Sequence, residues 1–135
     1  MTIQLSVAVR NARLDQIETT IGASAVMRMF SGAPPANVAA ANTGTNIATL
    51  NLPADYMAAA SSGAKAKSGT WEDLSADNAG TLGHFRIYAS DGTTCHMQGT
   101  ITATGGGGDM EVNNTVVAAA QPITVTAFTL NEPNA

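Results

Sequence analysis

Apolar residues recur in this chain with two different periods, and the change of period divides it. Over residues 6–21 (SVAVRNARLDQIETTI), Leu14, Ile17 and Ile21 fall three and four positions apart, and Val7 and Arg10 extend the stripe towards the N-terminus. Side chains at that spacing share one face of a helix. Ser6 is placed to cap its start and Gly22 to stop it. Arg13, Asp15 and Glu18 take the opposite face. The pattern predicts a short amphipathic helix that needs a surface to dock on, because an isolated helix of this length is marginal in water.

From residue 24 the period becomes two, the mark of half-buried strands. AVMRMF (25–30) and NIATLNL (46–52) are predicted strands, the second with Ala48, Leu50 and Leu52 on one face. SGAPPAN (31–37) between them is a loop, since paired prolines cannot sit in a central strand. ADYMAAASSG (54–63) reads as one or two helical turns between Pro53 and Gly63, AKSGTWEDL (66–74) as a strand or extended segment, and SADNAGTLG (75–83) as a loop. LGHFRIYASDGTTCHMQGTITA (82–103) is a predicted hairpin about Asp91-Gly92, a strong turn dipeptide. A two-residue loop there sets Ser90 opposite Thr93, Tyr88 opposite Cys95, Ile87 opposite His96 and Arg86 opposite Met97. TGGGGD (104–109) reads as a flexible hairpin connection, followed by the strand-like runs MEVNNTVV (110–117) and PITVTAFTL (122–130).

About seven strands behind one helix predict a mainly β protein, a β-sandwich or jelly roll. The organisation expected is an N-terminal arm and helix over 1–23, acting as an anchor, and a β-sandwich domain over 24–135. The length, 135 residues, suits one such domain.

Composition narrows the function. Only 12% of residues are charged and 4% aromatic. Small residues fill the difference, which predicts a core with little burial per position. Six Lys and Arg against ten Asp and Glu, with no basic run, argue against nucleic acid as a partner. The single cysteine allows no internal disulfide. No apolar run approaches the ~18 residues of a membrane span, and Arg10, Arg13 and Asp15 interrupt the start before a signal-peptide core could form.

The candidate chemistry is thin. His84, Cys95 and His96 are the soft metal-ligand types, but His84 and His96 point to opposite faces of the predicted hairpin, and a zinc site needs at least three converging ligands. The same alternation separates Cys95 from His96 as a nucleophile and base. The glycine run at 104–109 lacks the Lys-Ser/Thr and the helix of a phosphate loop. Ser62-Gly63-Ala64-Lys65 has a Ser-x-x-Lys spacing without the helix that motif needs. Glu72, Asp73 and Asp77 lack the order of a calcium loop and read as solvated. Trp71 and Tyr56 read as core or interface anchors. No enzyme activity, metal or cofactor is expected.

The stretches VRNARLDQIETTIGASAV (9–26), SGAPPAN (31–37), LNLPADYMAAASSGAKAKSGTWEDLSADNAG (50–80), GHFRIYASDGTTCHMQGT (83–100) and TATGGGGDM (102–110) resemble a family of small tailed-bacteriophage and prophage proteins encoded among virion structural genes. The resemblance covers most of the chain and attaches no catalytic residue to it. Some relatives carry a second cysteine where this chain has Val38, so a bridge to Cys95 is absent here. The resemblance implies a virion component assembled in the host bacterial cytoplasm. Together with the helix in need of a dock, it leads to a capsid decoration or cement protein, homo-oligomeric within the particle, that binds the major capsid protein and copies of itself, with no nucleic acid or membrane partner. Leu14, Ile17 and Ile21 are the expected docking residues, with Trp71 and Tyr56 behind them. The alternative is a tail, baseplate or neck component, including a receptor- or glycan-binding module that uses the loops 31–37, 75–83 and 104–109.

Overall fold

A computed structural model describes residues 3–133. It is mainly β, with one N-terminal helix and one many-stranded sheet folded about a core, as the alternation predicts. Helix α1 (Val7–Ile21) starts and stops where its caps place it: Ser6 Oγ accepts from Val9 N–H at 3.3 Å, and Gly22, at φ +89°, donates its N–H to the Glu18 carbonyl at 2.9 Å.

The strands are β1 (Val26–Ser31), β2 (Asn46–Asn51), β3 (Ala64–Ala66), β4 (Glu72–Asp73), β5 (Gly80–Tyr88), β6 (Cys95–Ala103), β7 (Met110–Val112), β8 (Val116–Val117) and β9 (Ile123–Asn131). They pair in the order β2-β1-β5-β6-β7-β9-β3, with β4 added to β9 and β8 to β5. The sheet curls until β4, paired on β9, comes beside β2. Asp77 N–H donates to the Ile47 carbonyl at 2.8 Å, and Thr49 N–H to Asp73 Oδ2 at 3.0 Å, which stitches the segment after β4 to the outer edge of β2. An edge occupied in this way cannot recruit another strand. Met27, Met29, Leu50, Phe85, Ile87, Met110, Val125 and Phe128 fill the interior. All six aromatic residues are buried. Among the described alanines only Ala25, Ala48 and Ala76 are buried, so most of the abundant alanine lies outside the core, which is not the thin one that composition predicts.

Several expectations are corrected. Residues 54–63 form no helix. Their backbone donors go to carboxylates of α1, Met57 N–H to Glu18 Oε1 at 3.1 Å and Ala60 N–H to Asp15 Oδ1 at 2.9 Å, while Ser62 and Gly63 turn with positive φ. The loop predicted over 75–83 ends early, because β5 begins at Gly80. In the β5–β6 hairpin Tyr88 does face Cys95, but a bulge follows: Ile87 faces Met97 and Arg86 faces Gln98. A one-residue slip exchanges the faces of a strand, so Met97 packs towards the core where His96 was expected, and His96 lies exposed. The turn is broader than two residues. Gly92 N–H returns to the Ala89 carbonyl at 2.9 Å, and the Asp91 carboxylate accepts from the N–H groups of Thr93 and Thr94. Those bonds hold its carboxyl far below the usual range.

The glycine run does not join a hairpin. β6 and β7 are parallel, Ile101 beside Met110 and Ala103 beside Val112. Parallel neighbours normally need a crossover of a dozen residues or more, and here residues 104–109 suffice. Gly105 and Gly107 take φ of +85° and +78°, while a Cβ on Gly106 or Gly108 would stand 2.7 or 2.8 Å from Thr102.

The helix packs into the body of the fold. Leu14 and Ile21 are buried, Ile17 packs against the core, and Trp71 and Tyr56 are each 1% exposed. Trp71 Nε1 donates to the Tyr56 and Ser68 carbonyls, both at 3.1 Å, and its ring leads through Phe128 to Phe85. Four of the five side chains expected to dock on a partner are therefore buried within their own chain, and the fifth, half-buried Ile17, packs against the same core. The face of α1 expected to meet solvent is also engaged. Lys65, 3% exposed, reaches Asp15 at 2.8 Å and Glu18 at 2.9 Å, Asn11 Oδ1 accepts from Gly63 N–H, and Arg13 meets Glu132 at 2.6 Å.

Candidate functional site

Strand β5 carries His84, Arg86 and Tyr88 on alternate positions, the face that a half-buried strand turns to water. All three are nevertheless buried, at 0%, 2% and 3% exposure. The long connection after β1, residues 32–45, folds back over them and is held by their polar ends. His84 Nδ1 lies 2.8 Å from the Gly32 carbonyl, with its ring stacked on Phe30 at 5.1 Å. Arg86 donates Nη1 to the Ala40 carbonyl at 3.0 Å and to Asn42 Oδ1, and Nη2 to the Val38 carbonyl at 2.6 Å. Tyr88 adds its hydroxyl to Asn42 Oδ1 at 2.7 Å, and Gln98 Nε2 reaches the Pro35 carbonyl at 2.7 Å. Burial holds the His84 imidazole below its ordinary value despite the Gly32 carbonyl, and the nearby Arg86 charge acts in the same direction. The ring is therefore neutral, with Nδ1 donating and Nε2 unpartnered.

A cavity of about 380 Å³ lies beneath Val38–Asn42. Its floor holds Arg28 of β1 and Arg86 of β5, which face each other across the antiparallel ladder. Both guanidinium groups lie over the Tyr88 ring, at 4.9 and 5.9 Å from its centroid, close enough for cation–π attraction. Arg28 Nη1 donates to the Gly92 carbonyl at 2.7 Å. Val38 and Cys95 line the same cavity. Sequence reasoning missed this site. The available signal was the polar triplet His84-x-Arg86-x-Tyr88 beside the Met27-Arg28-Met29 alternation.

The residues singled out from sequence do not assemble a reactive centre. His84 lies under the loop, whereas His96 is exposed beside Arg13 and Thr20 of α1. Cys95 is free, with Sγ 3.5 Å from the Met97 carbonyl. Among the described residues no three His, Cys, Asp or Glu side chains gather as metal ligands. The glycine loop holds an anion of its own, since Glu111 accepts from Gly105 N–H at 3.1 Å and Gly107 N–H at 3.2 Å. Lys65 is engaged by Asp15, Glu18 and the Ala58 carbonyl, with no bond to Ser62. Asp73 and Asp77 are stitching groups at the closed edge, with Asp77 Oδ2 accepting from Thr49 Oγ1 at 2.9 Å.

The outer surface carries a second feature. Ile3 is 82% exposed, and Val7 and Val9 at the start of α1 are about half exposed. No described helix is long and apolar enough to cross a membrane. The chain matches no protein-family model, no curated protein and no solved structure.

Proposed function

We propose that this chain is a structural component of a bacteriophage virion, a decoration or cement protein that adheres to the major capsid protein and to copies of itself across the shell. The observation that carries this reading is the exposed apolar run at the N-terminus, Ile3, Val7 and Val9. It lies on a body whose glycine loop and closed β2 edge are already satisfied internally. Apolar side chains presented on a stiff support are what adhesion needs, since burial of apolar area drives association. The family resemblance supports the same setting. The adhesive surface moves outward from the seam first read in the sequence, because Leu14, Ile17 and Ile21 serve the chain's own core.

Two measurements test it. Quantitative mass spectrometry of purified virions should give a copy number equal to that of the major capsid protein or a simple fraction of it. A count of about a dozen or fewer, the size of a ring on one symmetry axis, would move the protein to the neck, tail or baseplate. The triple variant Ile3→Asp, Val7→Asp, Val9→Asp should fold normally and fail to join the particle. Full incorporation of that variant sinks the N-terminal adhesion surface.

A further inference from the structure

The pair of arginines under the 32–45 loop leaves a charge unbalanced. Arg28 and Arg86 stand directly opposite across β1 and β5, where like charges destabilise a sheet. Arg86 is almost wholly buried, yet the partners of its Nη1 and Nη2 are the neutral oxygens of Ala40, Val38 and Asn42, and its Nε has none. Arg28 is bonded through Nη1 to a backbone carbonyl. Among the described residues neither arginine meets a carboxylate, although the chain has ten acidic residues. Elsewhere those acids do find cations, Glu132 at Arg13 and both Asp15 and Glu18 at Lys65. A buried cation surrounded only by dipoles is costly, and an anion brought beside it recovers part of that cost.

The space for such an anion is present. The cavity between the two guanidinium groups and the loop measures about 380 Å³, at the small end of the range for small-molecule pockets. That is room for about a dozen waters at ~30 Å³ each, more than one inorganic ion fills. Val38, the alanines at 39–41 and the Tyr88 ring line much of the remainder, with Asn42 and Thr93 as its neutral polar groups, a surface suited to a carbon skeleton and not to a second charge.

We propose that this cavity binds a small organic carboxylate, paired with the free edge of the Arg28 guanidinium and held in the field of Arg86, with its carbon body against the alanines and Tyr88. A guanidinium fork matches a carboxylate with two parallel bonds. The carboxylate belongs either to a free molecule or to an acidic side chain of a neighbouring protein, and the choice of probe separates the two.

The test is titration calorimetry of the full chain at low salt with butyrate, with Nα-acetyl-glutamate amide and with inorganic phosphate, backed by amide shifts of residues 38–42 and 92–95. Butyrate or the capped glutamate should bind saturably, and more tightly than phosphate. Tighter butyrate assigns a free acid, and tighter capped glutamate a protein side chain. Arg28→Gln, on a half-buried position outside the core, should fold and weaken binding at least tenfold. Arg28→Lys keeps the charge but loses the fork, and it should weaken binding too, which separates pairing from general attraction. The proposal is overturned if neither carboxylate binds, if phosphate binds as well as both, or if the Arg28 variants bind like the parent.

Discussion

Lys65 and His84 are both sealed from solvent, at 3% and 0% exposure, yet the fold requires opposite protonation states of them. Burial alone would push the Lys65 ammonium down, but hydrogen bonds to Asp15 and Glu18 outweigh it and raise the group above 10.5. Its contribution to stability is complete below that pH and is lost as pH rises through the raised folded value. Asp15 runs the other way. Lys65 and the Ala60 N–H lower it from 3.8, so its contribution holds above that value and fades as pH falls through the lowered one. Lys65→Met should therefore be clearly destabilising at neutral pH, because it leaves Asp15 and the less exposed Glu18 without their cation. In urea unfolding it should also lose the part of the alkaline decline that Lys65 contributes. His84 is held neutral by burial, its value depressed from 6.5. The unfolded chain then binds the extra proton, and stability falls as pH drops below about 6.5. Denaturant melts between pH 7.5 and about pH 5 should show that decline in the parent and not in His84→Gln. An equal decline in both would mean that the acid sensitivity arises elsewhere.

At the scale of elements, the tight parallel crossover from β6 to β7 gives the most discriminating substitutions. Gly107, at φ +78°, has nothing within 4 Å of where a Cβ would stand, so Gly107→Ala should cost only the left-handed strain, about 1–2 kcal/mol. Gly106 has no positive-φ requirement, but its added Cβ would stand 2.7 Å from Thr102 Cβ. Gly106→Ala has to displace β6 itself and should be the more destabilising of the two in thermal or urea melts. The reverse order would mean that the crossover is not packed against Thr102. Local chemistry is what made the elements legible. Ser6 and Gly22 bound the helix, and the alternation of β1 and β2 put Met27, Met29, Ala48 and Leu50 inside. Asp91-Gly92 marked the turn, but the dipeptide encodes neither the wider loop that the Asp91 carboxylate closes nor the bulge beyond Tyr88. Alternation also carries no direction, so nothing in MEVNN corrects the hairpin reading of the glycine run, and the parallel pairing of β7 with β6 is missed. The site was hidden for a related reason. His84, Arg86 and Tyr88 look like a solvent-facing stripe until residues 32–45, from far earlier in the chain, cover them.

Across the whole molecule, the helix decides how adhesion and folding are connected. Periodicity located α1 and its need for a dock, but amphipathic spacing cannot distinguish a foreign surface from the chain's own. The dock is the 56–65 segment and the end of β9, reached by side chains on two sides of the helix: Leu14 and Ile21 in the core, and Asn11, Asp15 and Glu18 on backbone donors and Lys65. Burying Leu14 and Ile21 contributes about 1.5–3 kcal/mol each, against a total stability of about 5–15 kcal/mol for a domain. Removal of residues 1–22 subtracts that burial and also leaves Lys65 without either carboxylate. The truncated chain should therefore lose its cooperative unfolding transition and near-ultraviolet dichroism, instead of behaving as a stable β body freed from an arm. The Ile3, Val7 and Val9 triple variant touches only exposed positions, so its melting curve should overlay that of the parent while particle incorporation is lost. A truncated chain that melts cooperatively near the parental temperature would restore the helix as a detachable anchor. It would also return Leu14, Ile17 and Ile21 to the surface available for a partner.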